Sequence, residues 1–159
     1  AVATDESLFV SVSIDTQPDN PTNGYGLVWQ YGATSGSVDQ DANQGVWAGI
    51  RWVSATEWRI VCTPSQEATQ TANNADEPYT SAPARIVIRW DLMGSNYYHC
   101  RVAVYDADGA LIGAKATTDS AGALTGAQLR ESVANYAGTG SQRCQVSYTV
   151  STGVLALGA

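Results

Sequence analysis

The chain has 159 residues, of which 44% are hydrophobic and 14% charged, and its formal net charge is −7. This composition excludes a disordered chain and predicts a single domain, residues 1–159, with a hydrophobic core. The acidic balance and the single lysine, Lys115, argue against a polyanion binder with a basic arm or a lysine-rich groove. No apolar run reaches the roughly 18 residues of a membrane-spanning helix, so no membrane span is expected.

Strand and turn signals alternate along most of the chain. Alternation of apolar and polar residues predicts strands at Ser7–Ile14, Tyr25–Tyr31, Arg85–Asp91, Tyr97–Asp106, Ala110–Thr117 and Cys144–Ser151. The segment Val46–Thr63 predicts a tight hairpin, and a turn at Ala55-Thr56 would place Trp52 opposite Arg59. The intervening loop Pro64–Ala84 is long enough to suggest a functional or mobile segment.

One segment near the C-terminus predicts a helix. Thr125 is a candidate cap, and Leu129, Val133 and Tyr136 recur at helical spacing before Gly138 and Gly140. The expected fold is therefore mainly β, an antiparallel sheet or β-sandwich of about eight strands with one short helix near the C-terminus.

The three cysteines, Cys62, Cys100 and Cys144, lie in strand-like runs with apolar neighbours two residues away. This pattern favours buried thiols that act as small hydrophobic side chains. One disulfide plus one free thiol is the alternative, so the sequence leaves the redox compartment open.

Metal and cofactor sites lack the residue patterns they require. His99 is the one histidine, and no cysteines have C-x-x-C spacing. The run Asp106-Ala107-Asp108-Gly109 offers oxygen ligands for calcium, but turn chemistry accounts for it without an ion. No glycine cluster matches a phosphate-binding motif. We therefore expect no metal and no cofactor.

The sequence also presents no catalytic residue that we can identify, so a non-enzymatic protein is expected. His99 lies on a strand beside Arg101, and no G-x-S-x-G motif presents a serine. The acids fall mostly in loops, and Glu131 falls in the predicted helix, which indicates solvated charge rather than paired catalytic carboxylates. An uncharacterised hydrolase is the least favoured alternative.

The positions of the arginines suggest a binding surface. Five of the seven arginines lie in or beside predicted strands, whereas most acids lie in loops. Alternation places Arg59, Arg89 and Arg101 opposite the apolar residues of their strands. With His99 and Trp52 they would share one exposed sheet face, which we predict as the ligand-binding site. The simpler interpretation is arginines that extend from sheet faces and pair with neighbours such as Asp91.

Two functions fit these features. The favoured one is a self-associating structural protein, a virion coat or surface-layer subunit whose basic sheet face binds RNA; the expected location is a virion or the cell exterior. The strand-rich layout resembles that of the coat proteins of small RNA bacteriophages, although those end in helices and Cys144–Ser151 is a predicted strand. The alternative is a secreted lectin-like module that binds glycan through Trp52 and the arginines.

Overall fold

A computed structural model describes residues 6–18, 25–32, 46–64, 78–93, 97–119, 128–135 and 145–154 of the chain. These ranges contain nine strands and no helix. The strands are β1 (Glu6–Thr16), β2 (Tyr25–Gly32), β3 (Val46–Trp52), β4 (Trp58–Pro64), β5 (Arg85–Met93), β6 (Tyr97–Tyr105), β7 (Leu111–Asp119), β8 (Gln128–Asn135) and β9 (Gln145–Val154). The prediction of a mainly β fold is therefore confirmed. No helix within the described ranges has the length and apolar character needed to cross a membrane.

The strands form two antiparallel sheets. Sheet A has the order β7-β6-β5-β1-β9, and sheet B has the order β4-β3-β2-β8. The two sheets pack face to face as a sandwich, and the most extensive contacts between them are those of β4 with β7. Sheet A has one strand more than sheet B, which leaves the two sheets unequal in width.

Alternate residues of each strand fill the space between the sheets. Val10, Ile88 and Val102 of sheet A are completely buried, and Ile50 and Ile60 of sheet B belong to the same core cluster. Burying aliphatic side chains of this size contributes about 1.5–3 kcal/mol each relative to leaving them exposed. The hydrophobic alternation in the sequence is therefore the main source of the fold.

Two of the three cysteines lie in this core. Cys62 and Cys100 are free thiols and both are buried. The Cys62 thiol donates to the backbone carbonyl of Cys100 across the sheets, with an S···O distance of 3.6 Å. The prediction of buried thiols is confirmed for this pair, and Cys144 lies outside the described residues.

Gly49 lets β3 approach β2 closely at the centre of sheet B. Its φ angle is 151°, and a Cβ atom added there would lie 2.1 Å from the carbonyl oxygen of Leu27. Any other residue would collide with the β2 backbone, so only glycine fits this position. Gly49 pairs directly with Val28 in the ladder.

One lateral side of the sandwich is closed by an aromatic stack. Trp58 and Tyr79 stack with ring centroids 4.6 Å apart, and their backbones exchange two hydrogen bonds. The indole Nε1 of Trp58 donates to the carbonyl oxygen of Ser81 at 2.6 Å. Gly113 of β7 leaves room for the stack, because a Cβ there would lie 3.0 Å from the Tyr79 ring. Part of the long 64–84 loop thus covers β4, while residues 65–77 lie outside the described ranges.

The predicted helix near the C-terminus is wrong. Residues Gln128–Asn135 form strand β8, which pairs antiparallel with β2 from Gln128 to Asn135. The spacing between Leu129 and Val133 is four residues, which places two side chains on one face of a helix and equally on one face of a strand. The free edge of β2 offers a hydrogen-bond ladder to this segment, and that tertiary pairing decides between the two.

The hairpin Val46–Thr63 is confirmed, but its predicted register is wrong by one residue. Trp52 pairs with Trp58, and Arg51 pairs with Arg59. The connection is longer than the predicted two-residue turn, because the N–H groups of Val53 and Ser54 both donate to the carbonyl of Glu57. A shift of one residue exchanges the two faces of a strand. Trp52 therefore faces the core with Trp58.

Candidate functional site

The five predicted ligand-binding residues do not share one surface. Arg89, Arg101 and His99 do lie together on the outer face of sheet A, where Arg89 pairs with Arg101 and Asp91 pairs with His99. Arg59 lies on β4 of sheet B, and Trp52 is in the core with 3% of its surface exposed. The prediction that Arg59, Arg89 and Arg101 lie opposite the buried residues of their own strands is correct. The predicted common surface fails for two reasons: the strands belong to two sheets, and the β3–β4 pairing differs by one residue from the predicted register.

A compact polar cluster surrounds Asp91 on the outer face of sheet A. The hydroxyl of Ser7 donates to Asp91 Oδ1 at 2.6 Å, and Arg89 Nε donates to the same oxygen at 2.5 Å. Arg89 Nη2 also lies 3.4 Å from Ser7 Oγ, and its guanidinium is 5.2 Å from the centre of the Phe9 ring. The pairing of an arginine with Asp91 is as predicted.

This cluster stabilises the sheet and does not offer a reaction site. Asp91 is 4% exposed and Ser7 is also buried, so neither is open to a substrate. A buried carboxylate needs a cation and hydrogen bonds to offset its lost solvation, and Arg89 with Ser7 supplies both. The charge of Arg89 is consequently engaged within the protein, which leaves Arg101 as the exposed arginine of the pair.

The side of the sandwich opposite the aromatic stack is open. Tyr148 and Val150 of β9 pair with Val12 and Val10, so they face the same side of sheet A as the core. They are nevertheless 47% and 45% exposed, whereas Val10 and Val12 are completely buried. Sheet B therefore leaves sheet A uncovered at Tyr148 and Val150, whereas Val146 near the start of β9 is partly buried against the core. We call the region around Tyr148 and Val150 the open side.

Trp29 of β2 lies at the margin of the open side. Its ring is 6.5 Å from the Tyr148 ring and tilted by 59°. Trp29 is buried, and its Nε1 has no hydrogen-bond partner among the described residues. A buried donor without a partner costs about 1–3 kcal/mol. Such unsatisfied groups are rare in native proteins and call for an explanation at the site where they occur.

Strand β8 brings Glu131 to the register position opposite Trp29. Residues directly paired in an antiparallel ladder occupy one face of a sheet, so the backbone register assigns positions 29 and 131 of sheet B to the same face. Five glutamates occur in the chain, and Glu131 is the one placed in the interior of a described strand, since Glu6 begins β1 and Glu57 lies in the β3–β4 connection. The predicted helix concealed this placement; an even spacing of Leu129, Glu131 and Val133 was the available signal for a strand.

The environment of Cys100 differs from that of a reactive thiol. Burial raises the pKa of the Cys100 thiol well above its usual range, and its hydrogen bond with Cys62 together with the charges of Cys62 and Asp91 raises it further. The thiolate is the nucleophilic form of cysteine. Cys100 is therefore a core residue and not a candidate nucleophile.

The oxygen ligands suggested by Asp106-Ala107-Asp108-Gly109 are used within a turn. Asp106 Oδ1 accepts hydrogen bonds from the backbone N–H groups of Asp108 at 3.0 Å and Ala110 at 2.8 Å. Gly109 has a φ of 83°, as turns of this kind require. Across the described ranges, no group of three or more His, Cys, Asp or Glu residues could hold a metal ion.

Comparisons with known proteins bear on the fold. No protein-family model matches the chain, and no curated protein matches its sequence. Among solved structures, the chain is similar to scytalido-glutamic peptidase with a transition state analog inhibitor, with a TM-score of 0.52, 8% identity, and coverage of 96% of this chain and 77% of that one. A second structure of scytalido-glutamic peptidase, with a peptide based transition state analog, has a TM-score of 0.48, 11% identity, and coverage of 94% and 72%.

These comparisons correct the functional interpretation of the sequence. The expected non-enzymatic virion coat or surface-layer subunit is contradicted, because the fold is similar to that of a peptidase. The lectin-like alternative gains no support from the comparisons. The burial of Trp52 removes the aromatic residue of the proposed glycan site, and the engagement of Arg89 by Asp91 weakens the proposed RNA-binding face. The prediction that the chain is not an enzyme is contradicted by the same similarity of fold.

Proposed function

We propose that this chain is a peptide-bond hydrolase whose catalytic carboxylate is Glu131. The observation that carries the proposal is the register of β8. It gives the one glutamate in the interior of a described strand a register position opposite Trp29, whose ring lies 6.5 Å from Tyr148 at the open side. The similarity of the fold to a glutamic peptidase over 96% of the chain supports the choice of a glutamate and of a peptide substrate.

The chemistry needs one carboxylate and one water molecule. The carboxylate of Glu131 takes a proton from water while the water oxygen bonds to the carbonyl carbon of the scissile peptide bond. The same carboxyl group then gives that proton to the amide nitrogen as the C–N bond breaks, which leaves a new carboxylic acid and a free amine and returns Glu131 to its carboxylate form. General acid–base catalysis by one positioned side chain contributes about 10²–10⁴-fold to the rate.

Other carboxylates are less suited to this role. Asp91 is buried, and its Oδ1 already accepts hydrogen bonds from Ser7 and Arg89. Asp106 uses Oδ1 to hold a turn. Glu57 lies in the β3–β4 connection, where Ser54 Oγ is 3.4 Å from its Oε2. Each of these three carboxylates has a structural role that accounts for its position.

The test is cleavage of a diverse synthetic peptide library by the purified chain, with the products identified by mass spectrometry. We expect cleavage by the wild-type chain and by Glu57→Gln, and none above background by Glu131→Gln. Reagents directed at serine, at cysteine or at metal ions should not inhibit it, because the proposed mechanism uses none of these. Equal cleavage by wild type and Glu131→Gln, or loss of cleavage in Glu57→Gln alone, would overturn the proposal.

A further inference from the structure

In the part of the chain that the structure describes, the two sheets have four outer strands, and three of them carry features that hinder the addition of another strand. β4 is bridged by Tyr79 and ends at Pro64. β7 carries Lys115 on the core-facing row and meets β6 through a register shift between Val104 and Tyr105. β8 carries adjacent charged residues, Arg130 and Glu131. Charges, prolines, bulges and covering segments are the usual means by which proteins protect sheet edges.

Strand β9 carries fewer of these features, and its register shift with β1, between Ile14 and Thr16, falls at the first residue of β9. Its ten residues, Gln145–Val154, include no charged residue and no proline. Its pairing with β1 runs without a register shift from Val154 to Val146, and within the described ranges β1 is its one strand partner. Ser147, Thr149 and Ser151 on its outer face are exposed, and Tyr148 and Val150 on its inner face are about half exposed. A long, uncharged edge strand is a template for pairing with another extended segment.

We propose that β9 is the docking edge for the substrate, which binds as an extended peptide added to sheet A as a further strand. This inference rests on the function proposed above and names how that substrate is held. Backbone hydrogen bonds to β9 would supply sequence-independent affinity, and Tyr148 with Val150 would contact alternate side chains of the peptide. The segment that fits is uncharged and apolar at its centre.

Charge distinguishes a peptide from a second copy of the chain as the occupant. The chain carries a formal charge of −7, so two copies repel one another, whereas a peptide with basic residues at its ends is attracted. The edge itself is uncharged, so attraction acts on the flanks of the peptide and the centre is selected by apolar contact. We therefore assign the edge to an extended peptide with an apolar centre and basic flanks.

Binding is measured with Glu131→Gln, which should hold the peptide without cutting it. The probe is a fluorescent, end-capped peptide of alternating valine and threonine with two lysines at each end, followed by fluorescence polarisation. Val150→Lys added to this variant should weaken binding at least about tenfold, because it places a charge on the docking edge. Leu111→Lys is the matched control, since Leu111 is an exposed aliphatic residue, 59% exposed, near the opposite edge of the same sheet. It should change the affinity less than about twofold.

Backbone methylation of the probe tests the mode of binding. In an added strand, alternate N–H groups face β9 and the others face away. N-methylation of one alternate set should abolish binding, and methylation of the other set should leave it. Equal effects of the two sets, equal effects of Val150→Lys and Leu111→Lys, or a dimer of the chain that Val150→Lys dissociates would overturn the inference.

Failure of the inference and failure of the proposed function give different results. Cleavage that depends on Glu131, with an unchanged KM in Val150→Lys, refutes docking at β9 and leaves the hydrolase intact. Peptide binding that follows the alternate methylation pattern, with no cleavage by the wild-type chain, supports the docking edge and refutes the hydrolase. Thermal unfolding of each variant verifies that the half-exposed position 150 accepts lysine in the folded protein.

Discussion

At the scale of single residues, two buried tryptophans differ in one respect that can be measured. Trp58 donates its Nε1 to Ser81, whereas Trp29 has no partner for Nε1 among the described residues. Replacement by phenylalanine removes the same atoms from both sites, but only Trp58→Phe leaves a carbonyl without its donor. We expect Trp58→Phe to lower the free energy of unfolding by about 1–3 kcal/mol more than Trp29→Phe does.

Urea titration of the two variants measures this difference. Equal losses of stability would mean that Trp29 Nε1 has a hydrogen-bond partner in the folded chain. A larger loss of unfolding free energy in Trp29→Phe than in Trp58→Phe would also mean that Trp29 Nε1 has a partner. The pair is well matched, because both side chains are almost fully buried in the same core.

The Cys100 thiol makes stability depend on pH above neutrality. Burial raises its pKa in the folded chain, so it stays protonated where an unfolded cysteine, with a pKa of about 8.5, has lost its proton. Above that pH the unfolded state binds fewer protons than the folded state, and the free energy of unfolding falls as pH rises toward the folded pKa. The stability that the protonated Cys100 thiol contributes is complete below about pH 8.5. It is lost progressively as the pH rises from there through the folded pKa.

The free energy of unfolding, measured from pH 7.5 to 10, tests whether stability falls as the pH rises. The slope for wild type should be steeper than for Cys100→Ala by at most about 1.4 kcal/mol per pH unit. The thiol should also resist alkylation in the folded chain and react on unfolding. A Cys100→Ala variant with the same slope as wild type, or rapid labelling of Cys100 in the folded chain, would contradict the assigned environment.

At the scale of elements, β8 is the assignment on which the site depends, and its register with β2 is directly testable. Val28 pairs with Ser132. A double variant with Val28→Cys and Ser132→Cys should form a disulfide under mild oxidation, because directly paired residues bring their Cβ atoms within about 5.5 Å. Val28→Cys with Glu131→Cys should not, because the two residues belong to opposite faces of the sheet.

Peptide mapping without reduction identifies the crosslinks and separates them from the native cysteines. Equal crosslinking of both pairs would contradict the register, and crosslinking of neither would favour the helix that the sequence suggested. The pairing of Glu131 with Trp29 belongs to the same register. If the Val28–Ser132 crosslink does not form selectively, Glu131 does not lie opposite Trp29 and is not the catalytic residue.

The elements differ in how far the sequence could predict them. Strands such as β5 and β6 have regular alternation of apolar and polar residues, so both the strands and their buried faces were predictable. The β3–β4 register depended on the hydrogen bonds of Val53 and Ser54 to Glu57, which the sequence does not reveal. β8 depended on the free edge of β2, a partner about a hundred residues away in the chain.

The site was likewise predictable where it depends on alternation within a strand, and not where it depends on the pairing of distant strands. Alternation correctly placed Arg89, Arg101 and His99 on one outer face. It could not assign Arg59 to a different sheet, because strand order is a long-range property. The half-exposed inner face of β9 arises from the unequal widths of the two sheets, which local patterns do not contain.

At the scale of the whole molecule, the two lateral sides of the sandwich have different roles. Trp58, Tyr79 and Gly113 close one side by stacking and close packing. On the other side, Tyr148 and Val150 are accessible beside the buried Trp29. The accessible side is thus built on ordered strands of the sheet, and binding sites are more precise when ordered elements position them.

The most direct test of this account is the ratio of peptide hydrolysis rates between wild type and Glu131→Gln. Both proteins are compared on the best-cleaved library peptide, at equal folded concentration. If Glu131 is the general acid–base group, kcat should fall by about 10²–10⁴-fold, while Glu57→Gln stays within about twofold of wild type. A Glu131→Gln variant that is folded and as active as wild type would contradict the central claim.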